Sequence, residues 1–479
     1  MIAIAYTLLF CFLGAQMIRW LMPRKSPLVR AWLGVSLGVL MEMGLPALCA
    51  NALDFTVAAH IAAVAAALLL AALCYAAREK APLCRMSAAD RRQMAVMATV
   101  GIPLTALSAY LQYTHNIMPA ADGSLWCGQA TYGDLCMHLS FVTSLENMRF
   151  PPSYSLLAGT SLAYPYLTDA LSTTFYMLGM PLNLSLVVPG TLLMALTYAG
   201  YMLLAQQILG GRHKAVAVAA LLFFFNGGLG FLYDFDLAFA DHFARVKEIF
   251  TGYYKTPANQ PDLNLRFSNV IADLMLPQRA LLGGWAMGIP ALYLLISSVR
   301  EKSYRQTALL ALWAAALPLV HTHTFLALAL FSGGYLLGSL IEHRAERLGV
   351  LLRAGLYLAV VLALALGICF FVKPELFASI LPFILGLYLI FDGVVKLQAA
   401  IDIKKEGYQK WGILLLLAVL MIALGVVILL NPFQSAQALI TFIGICMLLD
   451  GVINLWNAFV VWQHLRVLKK AASAAIDTI

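Results

Sequence analysis

Long apolar runs separated by short polar links fill most of this chain. Runs of about 17–25 residues with few charges read as membrane-crossing helices. The pattern predicts about thirteen of them, near 2–22, 30–50, 55–77, 93–113, 184–208, 214–231, 283–299, 306–320, 324–341, 350–371, 376–398, 411–430 and 437–460. The expected fold class is therefore an all-α polytopic membrane protein. Two stretches break the pattern. Between 133 and 169, GDLCMHLSFVTSLENMRFPPSYSLLAGTSLAYPYLTD, polar and apolar positions mix. Leu135, Leu139, Val142 and Leu145 recur there at helical spacing, which predicts a juxtamembrane helix after Asp134 with an apolar side suited to lying along a bilayer. The second stretch, near 233–282, is a polar loop far longer than an ordinary connection, and long loops tend to be functional.

The charges orient the spans. Arg24, Lys25 and Arg30 follow the first, and Arg78, Lys80, Arg85, Arg91 and Arg92 separate the third from the fourth. Basic links belong on the cytoplasmic side. The N-terminus is then outside, as is the segment from about His115 that carries Asp134. Arg212 and Lys214 place the next link inside. A full crossing by 166–180 would violate this rule, so that run is expected as a half-entering or surface helix. Further along, Arg300, Lys302 and Arg305, then Arg344 and Arg347, then Lys404, Lys405 and Lys410, then Arg466, Lys469 and Lys470 mark inside links. The outer links of these spans show Lys373, and the C-terminus comes out cytoplasmic.

Composition agrees. The chain is 62% hydrophobic and 11% charged, against about 25% charged for a soluble domain, and its mean hydropathy is +0.84. The net charge of +8 lies in the links, so it argues for membrane orientation and against a nucleic-acid partner. Arg24-Lys25 after the first run is unlike a small-residue cleavage site, so no cleaved signal is expected there.

A repeat closes the chain. Ala365-Leu366-Gly367, Pro374, Gly386, Asp392-Gly393 and Leu397 recur as Ala423-Leu424-Gly425, Pro432, Gly444, Asp450-Gly451 and Leu455, each pair offset by 58 residues. Two domains follow, a membrane core over 1–352 and a four-helix module over 353–479 built from two 58-residue repeats.

Several residues could carry chemistry. Asp134 and His138 are four apart and share a helical face. The acid could take a proton from an acceptor hydroxyl, bind a divalent cation with His138, or cap its own helix. Arg279, where a span begins outside, could clamp a phosphate at headgroup depth or anchor the span by snorkelling. Asn226-Gly227-Gly228 and Gly230 could let backbone approach a ligand or could end a helix. His321 and His323 flank an outer turn, where they share a ligand or stand unlinked. Glu42 is an intramembrane acid, costly to bury and often functional, or else a group meeting water near the outer end. Cys11, Cys74, Cys369 and Cys446 lie in apolar runs as small apolar residues. Cys127 and Cys136 fall in a polar loop, where an oxidising compartment would permit a disulfide. No nucleotide-binding loop occurs, so a donor should be lipid-borne.

Taken in order, GDLCMHLSF, FPP, AGT, YPYLTD, FNGGLGF, LPQR and HTHTF over about 120–340 resemble the GT-C superfamily of membrane glycosyltransferases that use polyprenyl-phosphate sugars. The resemblance implies a catalytic acid in a large exoplasmic loop, Asp134 here, and an inverting displacement in which lipid phosphate leaves. It also implies phosphate contacts from Arg279 and Gln278, with His138, Tyr166, Asp169, His321 and His323 orienting substrates. That superfamily usually has this loop after the first span, whereas four spans precede it here. Residues 355–460 resemble the HdeD-type small membrane proteins. The expected partners are membrane lipid, a polyprenyl-phosphate sugar and an acceptor of unknown identity, and the cofactor is unknown, with a divalent cation open. A non-enzymatic membrane-stress or scaffold protein and a transporter are the competing expectations.

Overall fold

The computed structural model describes residues 1–128, 132–226, 259–260, 265–266, 269–342, 346–372, 374–407, 411–430, 445–463 and 466. The expected glycine cluster after Asn226, most of the loop near 233–282, Lys373, Pro432 and Gly444 lie outside the described residues. In chain order the helices are α1 (Ile2–Leu21), α2 (Pro27–Leu53), α3 (Val57–Ala76), α4 (Ala88–Asn116), α5 (Tyr132–Ser144), α6 (Leu167–Met177), α7 (Leu182–Leu209) and α8 (His213–Phe224). They continue as α9 (Arg279–Arg300), α10 (Tyr304–Val320), α11 (Thr322–Glu342), α12 (Arg347–Val372), α13 (Pro374–Lys405), α14 (Trp411–Leu430) and α15 (Ile445–Gln463). An antiparallel pair, β1 (Ile117–Pro119) and β2 (Leu125–Cys127), leads into α5. A second pairs Asn259–Gln260 with Leu265–Arg266.

Among the described residues, 11 helices are long and apolar enough to cross a membrane, where about thirteen spans were expected. The two that fall short are α8, with 12 described residues, and α10, with 17. At 1.5 Å per residue, α8 as described reaches roughly 18 Å, too little for a hydrocarbon core of about 30 Å.

Local chemistry sets the helix ends. Ser26 caps α2 through the Val29 N–H, with Pro27 in the first turn. Ser87 and Asp90 form a reciprocal capping box at the start of α4. Helices α1 and α2 touch backbone to backbone through Gly14, Gly34 and Gly38; a Cβ on Gly38 would lie 2.6 Å from the Cys11 Cα.

The basic links gather at one end of the bundle. Lys25 bonds Ser297 and Glu301, and Arg24 pairs with Glu79 at 3.0 Å. Arg30 donates to the Cys84 carbonyl at 3.0 Å, and Arg300 donates to the Gln207 carbonyl at 2.8 Å. The segment 145–166 closes the other end, where the Phe55 N–H donates to the Met148 carbonyl and Arg149 pairs with Asp54 at 2.8 Å.

Two expectations about this end change. Leu135 and Val142 are fully buried and pack with Ile117, Leu186 and Val187. The apolar side of α5 is therefore covered by the β1–β2 hairpin and α7, and does not lie along a bilayer. Helix α6 is no surface helix either, since every residue from Leu167 to Phe175 is buried.

The chain divides into two compact units, Met1–Ala365 and Leu366–Ile479. The boundary lies inside α12, as does the 352/353 division read from the sequence, and Tyr357 and Val361 of that helix pack against the core of the first unit.

Candidate active site

Four elements of the first unit bring the chemistry-bearing residues together. Helix α5 carries Asp134 in its first turn and His138 one turn later. Helix α6 carries Asp169 in its first turn. Helix α9 begins at Arg279, and the link between α10 and α11 is His321. Small residues allow the close approach of the last three. A Cβ on Gly283 would enter the Thr168 hydroxyl, and one on Gly284 would lie 2.5 Å from the His321 Cβ.

Asp169 is the hub. One carboxylate oxygen accepts from Arg279 Nε at 3.1 Å, and the other meets His138 Nδ1 at 2.8 Å. The Arg279 guanidinium also donates to the Ser172 hydroxyl. Asp169, His138 and Arg279 are each 1% exposed. A carboxylate so far from water is held by its partners. Its bond to Nδ1 fixes the imidazole orientation, and with it the His138 tautomer.

This arrangement revises several expected roles. Arg279 does not present its guanidinium to a phosphate; burial and the bonds to Asp169 and Ser172 keep it within the protein. His138 and Asp169 are buried, and neither reaches the surface. Asp134 and His138 do not form a chelating pair, because Asp134 is exposed while the His138 imidazole is buried and its Nδ1 is taken. Among the described residues, no group of three His, Cys, Asp or Glu side chains is placed to hold a metal ion. Tyr166 is 6% exposed and meets Phe150 edge-on at 5.3 Å. Its burial pushes the phenol up to about 12.

Asp134 and Gln278 are exposed. Tyr164 packs beside the buried hub. Its ring meets His138 edge-on at 5.6 Å. Burial raises its phenol above the ordinary range, and the Asp169 and Asp134 carboxylates raise it further. Tyr164 and Ser172 were not singled out in the sequence. Ser172 stands three residues after Asp169, a helical spacing that could have flagged it; Tyr164 has no such signal.

His321 bonds Thr324 Oγ1 through Nδ1 at 2.8 Å, and its ring lies 5.3 Å from that of exposed His323. Burial lowers the His321 pKa, and His323 lowers it further. Thr324 is also at the edge of an apolar groove of about 520 Å³, lined by Phe223, Trp285, Gly288, Leu292 and Phe331 among others. Asp134, His138 and Arg279 do not line that groove.

The Cys127 and Cys136 thiols are in hydrogen-bonding contact with each other. Burial, reinforced by Cys136, pushes the Cys127 thiol up to about 11.

Fold and site together describe an all-α, multi-pass membrane protein with a repeat at its C-terminal end. Residues 358–426 and 416–479 match the family described as a short repeat of unknown function (DUF308). That match supports the HdeD-like module, and its two segments begin 58 residues apart, the offset read from the sequence. No curated protein and no solved structure matches the chain.

Proposed function

We propose that the chain is an integral-membrane glycosyltransferase, which moves a sugar from a polyprenyl-phosphate donor to an acceptor at the outer membrane face with inversion. Asp134 is the general base. The observation that carries this reading is the exposed Asp134 carboxylate on the first turn of α5, backed one turn deeper by the buried His138–Asp169–Arg279 hub.

The residues divide the work. Asp134 takes the proton of the acceptor hydroxyl as its oxygen bonds to the anomeric carbon, and the bond from that carbon to the phosphate oxygen breaks. The hub locks α5, α6 and α9 against one another, so the base keeps its place. The groove under Thr324 is apolar and suits an isoprenoid tail. Thr324, which lines this groove, bonds His321, whose ring lies beside that of exposed His323, so a phosphate held near this turn would meet the two histidines; Gln278 is exposed at the start of α9, where helix N–H groups favour anions.

The DUF308 match favours a second reading, a non-enzymatic membrane-stress or scaffold protein in which the repeat is the active part. One assay separates the two. The full chain in proteoliposomes is given radiolabelled polyprenyl-phosphate sugars, and transfer or hydrolysis is followed for wild type and Asp134→Asn. Turnover lost in the variant supports the base. Undiminished turnover removes Asp134 from the mechanism, and no turnover with any donor favours the second reading.

A further inference from the structure

Four helices of the first unit leave a hollow between them near the basic end of the bundle. The cavity measures about 240 Å³ and is walled by Leu295 of α9, Leu310 of α10, Leu336 of α11, and Val350 and Leu358 of α12. A second hollow of about 920 Å³ lies between the end of α9 and α11. Val299, Tyr335 and Ser339 line both, so the two adjoin. No side chain of α11 fills them at its glycines. Gly333 lines the first hollow, Gly334 and Gly338 the second, and a Cβ on any of the three would meet no atom within 4 Å. Leu330, Leu337 and Leu358 beside the groove are exposed. An apolar hollow rimmed by exposed leucines, on a helix built to cross a membrane, suits a lipid chain.

The charges select the lipid. Arg353 lines the first hollow near the start of α12. Its guanidinium lies 5.9 Å from the Tyr304 ring, and among the described residues no acid pairs with it. Arg300, Lys302 and Glu342 line the second hollow. Arg300 donates to the Gln207 carbonyl, and Lys302 pairs with Glu346 at 2.6 Å. Three cations against two acids leave one positive charge beside an apolar groove. A guanidinium matches a phosphate in shape and charge, and basic pockets between membrane helices bind anionic headgroups. A zwitterionic headgroup brings its own amine and leaves that charge unbalanced. A phosphodiester with an uncharged head balances it.

We propose that this groove binds one anionic phospholipid of single net charge, with its phosphate on Arg353 and an acyl chain in the hollow among α9, α10, α11 and α12. The site holds whether or not the first unit transfers sugar. The second hollow shares Ala327 and Phe331 with the groove under Thr324. The headgroups are nonetheless kept apart, because Thr324 and Ser339 stand roughly 22 Å from each other along α11.

The test is native mass spectrometry of the delipidated full chain, titrated with phosphatidylglycerol or with phosphatidylcholine. Wild type should take up one phosphatidylglycerol at least about 5-fold more tightly than phosphatidylcholine. Arg353→Gln should lose that preference. Gly333→Leu places its side chain in open space and should weaken phosphatidylglycerol binding by filling the hollow; it decides the matter alone if Arg353→Gln does not fold. Excess undecaprenyl phosphate should leave the bound phosphatidylglycerol in place. Equal binding of the two phospholipids by wild type, a preference kept in Arg353→Gln, or undiminished binding in Gly333→Leu would each overturn the proposal. Displacement by undecaprenyl phosphate would make the groove part of the donor site and overturn it as well.

Discussion

Replacing Arg279 by Met tests the hub on which the site depends. The substitution keeps an unbranched apolar stem and removes the guanidinium with its charge. Asp169 is then left at 1% exposure with His138 as its partner, and the Ser172 hydroxyl loses its donor. Removing one member of a buried ion pair costs about 3–5 kcal/mol, mostly because the remaining charge is uncompensated. The lost Ser172 bond adds about 1 kcal/mol. Arg279→Met should therefore lower unfolding stability by about 4–6 kcal/mol. Combining it with Asp169→Asn removes the stranded charge, so the double variant should recover about 1–3 kcal/mol relative to the sum of the singles. Unfolding of the four proteins in matched detergent, analysed as a double-mutant cycle, gives both quantities. A cost below about 1 kcal/mol for Arg279→Met, or strict additivity, would refute the assignment of Asp169–Arg279 as a load shared across α6 and α9.

Other consequences are open to measurement. Gly284→Ala places a methyl 2.5 Å from the His321 Cβ, so the α10–α11 turn must shift, at a cost of about 1–3 kcal/mol in unfolding stability; an unaltered melting curve would contradict the close approach. Because the folded His321 pKa is lowered, chiefly by burial, the unfolded chain binds its proton more readily. Its contribution is complete above the unfolded histidine pKa and is lost as pH falls through the folded one. His321→Gln should flatten that acid-side loss, and an unchanged pH–stability profile would count against it. Cys136 is exposed, whereas the Cys127 thiol is pushed up to about 11. Iodoacetamide at neutral pH should therefore modify Cys136 first, as mass spectrometry of peptides from briefly treated protein would show.

The long spans and the 58-residue repeat were legible because hydrophobic period and internal similarity are local properties of the chain. The convergence of α5, α6 and α9 was not. Asp169 and Arg279 are 110 residues apart, and nothing in the spacing of either says that each is the other's partner. A guanidinium at the start of an apolar run looks the same in sequence whether it faces headgroups or a buried carboxylate. The same limit applies to α5, whose apolar positions were readable as a stripe while the surface covering them, Ile117, Leu186 and Val187, comes from two other elements. Lys396 and Asn454 show the reverse case. Their equivalence follows from the 58-residue repeat, and the structure adds that Lys396 of the first repeat bonds Asp450 of the second.

The most direct test of the central claim is the rate of sugar transfer by the full chain at saturating polyprenyl-phosphate sugar, compared between wild type and Asp134→Asn with donor binding measured in parallel. A general base contributes about 10²–10⁴-fold. The account requires the variant to fall by at least about 100-fold while it binds donor as tightly as wild type. Transfer within a few-fold of wild type, with donor binding intact, would contradict it.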